Sequence, residues 1–274
     1  MPDPILPTTR IGAAIATLRL IGFFGASLIA TLVAGTLNGL HVNSAPFRRW
    51  YYRLLRKIVG LRVVVRGVEN TDRPHLVVSN HISYFDIVTL GSLVAGDFVA
   101  KADIAKWPIF GVMAKAGRSV FIDRARSATS NARDQIQERL DAGDTLIMFP
   151  ESTSGDGNRM KPFKSALFTV AERHVKDRQG KMRNIAVQPV SIAYTRLNGL
   201  PIGVGWRPYV AWYGDMEMLP HLWNVWKLGI LTVEVTFHAP VTLADFPNRK
   251  ALAAHCDQVV RAGMAGLLAG RAAA

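Results

Sequence analysis

The sequence has a single cysteine, Cys256, among its 274 residues. One thiol cannot form an internal disulfide or, alone, a zinc site, so disulfide-stapled folds are excluded and we expect a reducing compartment. Zinc-finger spacing, a basic heptad array and an RNA-binding aromatic motif are also missing from the chain. These absences argue against nucleic acid as a partner.

Acidic residues are scarce relative to basic ones. The chain has 33 Lys and Arg against 20 Asp and Glu, which gives a formal net charge of +13. The segment His41–Val68 carries seven basic residues and no acidic residue. A charge of this sign indicates an anionic partner, such as nucleic acid, a membrane surface or an acidic substrate.

Charge is absent altogether from Leu20–Leu40, directly before the basic segment. About 20 apolar residues are enough for a helix to cross a bilayer. Three interpretations are open: a transmembrane helix, a helix lying in one leaflet, and a signal peptide, for which the stretch is long. A membrane explains both the apolar stretch and the charge, so we predict a membrane-anchoring helical region over residues 1–60.

The pattern changes after Gly60, where short β-branched runs alternate with helical stretches. This alternation predicts an α/β domain over residues 61–274, with a mostly parallel central sheet flanked by helices. The predicted strands are Arg62–Arg66, His75–Ser79, Asp97–Ala100, Ser119–Ile122, Thr145–Phe149, Ala186–Tyr194, Tyr209–Tyr213 and Leu231–Phe237. The predicted helices are Tyr84–Val94, Pro108–Ala116, Ser127–Ala142, Lys164–His174 and Arg249–Leu268. The clean alternation in Leu231–Phe237 favours an antiparallel addition to the sheet.

A histidine and an aspartate lie five positions apart directly after the apolar run Leu76–Val78. On one continuous helix, five residues turn through about 500°, so the two side chains would not meet. They can meet if His81 lies in a loop and Ser83 caps a helix that begins at Tyr84. The carboxylate of Asp86 then lies in the first turn and reaches back to the imidazole.

An imidazole held by a carboxylate is suited to activating a hydroxyl group. No serine or cysteine elbow stands near His81, so the hydroxyl is expected to belong to a substrate. This points to a transferase. The spacing of Ser83 and Asp86 also fits a capping box, in which Asp86 would only cap a helix.

Two further polar blocks follow predicted strands, and ligands bind at the carboxyl ends of strands in open α/β sheets. The block Gly117–Arg124 places Arg124 at such an end, where a guanidinium can bind phosphate or carboxylate. The block Phe149–Ser154 ends in a loop of small residues that starts at Glu151, a residue able to hold an acceptor hydroxyl or a neighbouring cation. An ordinary surface ion pair and a surface turn are the alternatives.

Two lysines and a proline complete the set of candidate residues. Lys161 and Lys164 add positive charge after the small-residue loop. Pro189 lies within the apolar block Val187–Val190, which is typical of an edge or a bulge and suits a pocket wall.

Together and in this order, the four blocks resemble the glycerolipid acyltransferase superfamily. Its pattern is N-H-x4-D, then G-x-x-F-I-x-R, then F-P-E-G-T-R-S, then V-x-P-V, and the match spans about residues 62–194. The resemblance implies that His81, oriented by Asp86, acts as general base on the free hydroxyl of a lysolipid. The oxygen then attacks the thioester of an acyl carrier protein or coenzyme A donor, with no metal or redox cofactor.

The resemblance also implies where the substrates bind and where the protein works. We expect attachment to the bilayer of the cell inner membrane, with the active site on the cytoplasmic side, in phospholipid biosynthesis. The predicted substrate-binding residues are Asn80, Arg124, Glu151, Ser152, Thr153, Lys161, Lys164 and Pro189.

The third block departs from the family pattern, because Ser152 replaces a glycine and Ser154 replaces an arginine. Loss of a guanidinium weakens the case for an acceptor that carries a phosphate. We expect 1-acylglycerol-3-phosphate as the acceptor, with lyso-ornithine lipid as the alternative, because Phe149–Asn158 and Trp212–Met216 look more like the lyso-ornithine lipid acyltransferase branch. A thioesterase or phospholipase that activates water is a more distant alternative, and a non-catalytic lipid-binding protein is a third class.

Overall fold

Two helices precede the first strand in the computed structural model, which describes residues 9–122, 130–176, 180 and 182–271. They are α1 (Arg10–Gly39) and α2 (Ala45–Ile58). The Thr9 side chain caps α1 by accepting the N–H of Gly12 at 3.0 Å. One side of α1 is buried, and its other side exposes large apolar residues to solvent.

The rest of the described chain alternates strands and helices. The strands are β1 (Leu61–Arg66), β2 (His75–Ser79), β3 (Asp97–Lys101), β4 (Val120–Ile122), β5 (Leu146–Met148), β6 (His174–Lys176), β7 (Met182–Asn184), β8 (Ala186–Leu197), β9 (Leu200–Pro201) and β10 (Leu231–Phe237). The helices are α3 (Phe85–Leu93), α4 (Phe110–Ala116), α5 (Ser130–Asp141), α6 (Arg207–Val210), α7 (Met218–Lys227) and α8 (Arg249–Leu268). Three 3₁₀ segments span Ala102–Lys106, Ser165–Glu172 and Leu243–Asp245.

The central sheet has eight strands in the order β1-β10-β8-β2-β5-β3-β4, with β9 paired to β8. The pairs β8–β2, β2–β5, β5–β3 and β3–β4 are parallel, whereas β10 runs antiparallel to β8 and parallel to β1. The predicted fold class is therefore confirmed, as is the antiparallel placement of Leu231–Phe237. The carboxyl ends of β2 and β5 lie at one edge of the sheet, where His81 and Glu151 follow.

Alternation along the strands divides the core between the two faces of the sheet. Val77 and Ile147 face one cluster, which includes residues of α1, α2 and α3. Leu76 and Met148 face the other cluster, which includes residues of α5 and the first half of α8. Because both faces are covered, the centres of these strands, Leu76–Val78 and Leu146–Met148, are apolar at every position, as expected for parallel strands between helical layers.

A buried ion cluster joins α2 to the sheet. The guanidinium of Arg48 and that of Arg139 both bind the carboxylate of Asp97, which is only 2% exposed. Arg139 also contacts Asp144 at 2.7 Å. Burial raises the pKa of Asp97, and the two arginines act against that rise. The cluster fixes α2 against β3 and α5.

Two predicted elements differ from the structure, and one observed helix has no predicted counterpart. The segment Tyr209–Tyr213 is not a strand, because Pro208 in the first turn starts the short helix α6 and a loop follows. The predicted helix Lys164–His174 is a 3₁₀ segment, Ser165–Glu172. The helix α7 was not predicted, and the first three residues of the predicted helix Ser127–Ala142 lie outside the described residues.

Candidate active site

His81 and Asp86 lie in contact at the start of α3. The Nδ1 atom of His81 lies 2.9 Å from Oδ2 of Asp86, and the same oxygen accepts the backbone N–H groups of Ile82 at 2.6 Å and Ser83 at 2.9 Å. An ionised carboxylate only accepts hydrogen bonds, so Nδ1 is the donor, and in the neutral imidazole Nε2 is the nitrogen with the free lone pair. The helix begins one residue later than predicted, with Tyr84 rather than Ser83 at the N-cap.

Two further contacts fix the orientation of this pair. The fully buried Asp86 accepts one more hydrogen bond, at its other oxygen Oδ1, from the hydroxyl of Tyr194 at 2.6 Å. Burial raises the pKa of Tyr194 well above 10, so the phenol stays protonated and donates. Asn80 bonds to both backbone groups of Ile192, at 3.0 Å and 2.8 Å, and so attaches the His81 loop to β8.

The loop after β5 holds the backbone of His81 on both sides. Glu151 is 3% exposed, and its carboxylate accepts the N–H of His81 at 2.7 Å and the N–H of Lys161 at 2.6 Å. The N–H of Gly155 donates to the carbonyl of His81 at 2.9 Å. Burial raises the pKa of Glu151 to about 7, although both N–H bonds favour the ionised form. Both oxygens of this carboxylate are therefore committed to the backbone.

An apolar cavity of about 570 Å³ lies beside the imidazole of His81. Its walls include residues of α1, α2, α3 and the 3₁₀ segment before α4, so the N-terminal helices and the α/β domain enclose it together. The imidazole stacks on Phe149 with ring centroids 4.2 Å apart, and its side chain is 15% exposed. A cavity of this size and apolar lining is suited to a hydrocarbon chain.

Three residues of the small-residue loop line the same cavity, Ser152, Thr153 and Ser154. Ser152 has a φ of +67°, in the left-handed region that favours glycine. The hydroxyl of Ser154 donates to the backbone carbonyl of Trp212. The loop therefore contributes side chains to the cavity and also fixes an aromatic residue on its wall.

Comparisons with known proteins identify the family of the chain. A family model described as Acyltransferase matches residues 62–193. The lyso-ornithine lipid O-acyltransferase of Brucella abortus is 41% identical over 223 residues, which cover 81% of this chain and 83% of that protein. This chain belongs to the acyltransferase family. It is a lysolipid acyltransferase, and the family recognised from the four motifs is confirmed.

Other relatives of the acyltransferase carry two kinds of name. The lyso-ornithine lipid O-acyltransferase of Rhizobium meliloti is 38% identical over 82% of this chain and 78% of its own length. The 1-acyl-sn-glycerol-3-phosphate acyltransferase of Neisseria gonorrhoeae is 30% identical over 76% of this chain and 75% of its own. The crystal structure of the acyltransferase PlsC from Thermotoga maritima matches with a TM-score of 0.56 at 23% identity, covering 94% of this chain and 97% of that one. That likeness supports the fold.

Some of the predicted substrate-binding residues of the acyltransferase do not line the cavity. Within the described part of the chain, Lys161 and Lys164 are exposed and do not line it, and the Nζ atom of Lys161 donates to the carbonyl of Ser154 at 3.0 Å. Pro189 is buried in β8 opposite Val78. Arg124 lies outside the described residues. The binding roles of these residues, and those of Asn80 and Glu151, stay predictions.

Some contacts of the acyltransferase site had no signal in the sequence. Tyr194 lies 108 residues after Asp86, and nothing in the spacing indicates their hydrogen bond. Trp107 and Trp212 also line the cavity. An apolar composition alone does not distinguish such residues from the rest of the core. Among the described residues, no group of three His, Cys, Asp or Glu side chains is placed to hold a metal ion.

Proposed function

We propose that this enzyme transfers a fatty acyl group from a thioester to the free hydroxyl of lyso-ornithine lipid, with His81 as the general base. The observation that carries the proposal is the 2.9 Å contact between His81 and Asp86 on the wall of an apolar cavity. The names of the relatives that are 41% and 38% identical support this acceptor.

The proposed reaction uses the free nitrogen of the imidazole. The Nε2 atom of His81 removes the proton from the lipid hydroxyl, and the oxygen attacks the thioester carbonyl carbon to form a tetrahedral intermediate. Collapse of the intermediate breaks the carbon–sulfur bond, and the leaving thiolate takes the proton from the imidazolium. Asp86 stabilises the imidazolium throughout, since its charge is buried and held by Tyr194 and two N–H groups. The donor is the thioester of acyl carrier protein or coenzyme A.

A second acceptor, 1-acylglycerol-3-phosphate, is supported by the name of the relative from Neisseria gonorrhoeae. Ser154 stands where the family pattern carries an arginine, and its hydroxyl is committed to Trp212. This loss of a phosphate ligand is the reason that we rank lyso-ornithine lipid first.

We further propose that α1 lies in the cytoplasmic leaflet of the inner membrane. It is 30 residues long and apolar enough to span a bilayer by length and composition. One face of α1 lines the cavity, however, while Leu18, Leu28 and Leu32 on its other side are 63–70% exposed. An orientation in which only the exposed side meets lipid keeps the cavity wall intact, and Arg53 and Lys57, which are exposed on α2, then face anionic headgroups.

The acceptor is tested by competition. Purified protein in lipid vesicles receives a labelled acyl thioester together with equal amounts of lyso-ornithine lipid and lysophosphatidate, and the labelled products are identified. We expect labelled ornithine lipid to dominate. A dominant phosphatidate product would reject lyso-ornithine lipid as the acceptor, and faster release of free fatty acid would indicate a thioesterase.

The general base is tested in the same assay by His81→Ala, with His174→Ala as the matched control. We expect His81→Ala to lose transfer about 10²–10⁴-fold, the usual contribution of a positioned base. His174 is exposed on β6, so its substitution should leave activity unchanged. Transfer by His81→Ala at the wild-type rate would reject the mechanism.

A further inference from the structure

Three aromatic rings meet on the wall of the cavity that also holds His81. The rings of Trp107 and Trp212 have centroids 6.4 Å apart and planes at 88°. The ring of Tyr84 lies 5.9 Å from that of Trp212, at 55°. The transfer mechanism gives these rings no role. We call this group, Tyr84, Trp107 and Trp212, the aromatic corner.

The corner is fixed to both loops of the active site. The N–H of Trp212 donates to the carbonyl of Ile82 at 3.0 Å, and its own carbonyl accepts from the hydroxyl of Ser154. Its indole Nε1 donates to the carbonyl of Met216 at 2.9 Å. The hydroxyl of Tyr84 bonds to Nδ1 of His221 at 2.8 Å. Since these polar groups are occupied, Tyr84 and Trp212 offer the cavity their π surfaces.

Charged groups accompany the corner. Lys101 and Asp103 also line the cavity, and their side chains form an ion pair at 2.5 Å while remaining 55% and 60% exposed. A zwitterionic headgroup can pair its carboxylate with Lys101 and keep its ammonium free for another site in the same cavity. A phosphate monoester has no cationic group to place there.

We propose that the aromatic corner is the subsite for the free ammonium group of an amino-acid headgroup on the acceptor lipid. This inference rests on the proposed function, because ornithine attached through its α-amino group keeps a side-chain ammonium. A cation within about 6 Å of a tryptophan or tyrosine ring centroid is attracted by the negative face of the ring. Two perpendicular walls allow one cation to lie within that distance of both indoles. The same faces repel a phosphate, so the corner selects against a phosphate acceptor.

The experiment compares three acceptors that differ only at the side-chain amine. They are lyso-ornithine lipid, its Nδ-acetyl derivative, which is neutral, and its Nδ-trimethyl derivative, which keeps the charge and adds similar bulk. We expect the wild-type protein to use the two cationic acceptors with a kcat/KM about tenfold above that of the acetyl derivative. Equal use of all three would overturn the inference. Equal losses for the acetyl and trimethyl derivatives would also overturn it, because the site would then discriminate by size and not by charge.

The variant Trp107→Leu is expected to bring the ratio of cationic to acetylated acceptor from about ten to about one. The variant should acylate the acetylated acceptor at the wild-type rate, which shows that it is folded. Trp206→Leu is the matched control, because Trp206 is 49% exposed and lies outside the cavity lining, so its ratio should stay near ten. A ratio near ten in Trp107→Leu would overturn the inference while leaving the proposed function intact. Acylation of lysophosphatidate with none of the three ornithine acceptors would overturn both.

Discussion

The substitution Asp86→Asn isolates the charge that the mechanism assigns to Asp86. The asparagine keeps the size of the side chain, and its amide oxygen can still accept the N–H groups of Ile82 and Ser83. Its amide nitrogen then faces the hydroxyl of Tyr194, which can rotate and accept. The fold should survive, and what is removed is the negative charge beside the imidazole of His81.

The magnitude follows from the contact distance. Opposite unit charges 2.9 Å apart attract by about 6 kcal/mol at an effective dielectric constant of about 20. A neutral hydrogen bond to the amide replaces part of that attraction, and replacing an ionised acceptor by a neutral one costs about 1–2 kcal/mol at the least. We therefore expect kcat to fall about 10²–10⁴-fold, with a much smaller effect on the KM for either substrate.

The assay is steady-state acyl transfer with thermal unfolding measured on the same preparations. Asp134→Asn is the matched control, because Asp134 is 61% exposed and pairs only loosely with Arg173, at 3.7 Å. Tyr194→Phe should lose only a few-fold, since it removes a donor and leaves the charge. An Asp86→Asn protein that keeps more than a tenth of wild-type activity would refute the reasoning and leave Asp86 as a residue that only caps the loop.

Three further predictions concern stability. Burial raises the pKa of Glu151 from 4.5 to about 7, so the stability of the wild-type protein should decrease by about 3 kcal/mol as pH rises from about 4.5 through 7. Because Glu151→Gln does not titrate, unfolding curves measured across this pH range should show that decrease in the wild-type protein and not in the variant. Asp97→Ala leaves the guanidinium groups of Arg48 and Arg139 without their carboxylate, so denaturant unfolding should show a free energy of unfolding lower by about 3–5 kcal/mol. The control Glu172→Ala, which breaks an exposed pair with Arg249, should lower it by less than about 1 kcal/mol. Ser152→Gly should raise stability by about 1 kcal/mol, measured by thermal unfolding, because glycine adopts a φ of +67° without strain; an unchanged or lower stability would contradict this.

The sheet could be predicted from the sequence because local pattern and burial agree there. The strand β2 is buried throughout and apolar over Leu76–Val78, and the alternation of β10 matches its antiparallel position beside β8. The segment Tyr209–Tyr213 shows the limit of this reasoning. Its composition is that of a strand, but the N–H of Trp212 bonds to a loop carbonyl instead of a neighbouring strand. The conformation of this segment is therefore set by a tertiary contact and not by its own composition.

The sequence of α7 contains an apolar spacing that is typical of a helix. Leu219, Leu222 and Val225 recur every three residues before Trp226, a spacing that places them on one side of a helix. Pro220, in the first turn, is tolerated there. The pattern is short, however, and it begins beside a loop.

The candidate site was predictable to a different degree. His81 and Asp86 could be placed together because five residues across a loop and a helix start determine their separation. Glu151 could be placed near them, but its two backbone partners could not, because Lys161 and His81 approach it from separate segments. Tyr194 and the aromatic corner depend on how the chain returns to the sheet, which no local spacing encodes.

The helix α1 separates the cavity from the exterior by a single layer of protein. Its inner side carries Phe23 and Ala34 on the cavity wall, and its outer side carries Leu28 and Leu32. A helix with its side chains is about 10–12 Å across. In the membrane orientation proposed above, a hydrocarbon tail resting against the outer leucines would be only that distance from one lying next to His81, and a separation of α1 from α4 would open a lateral route between the two positions.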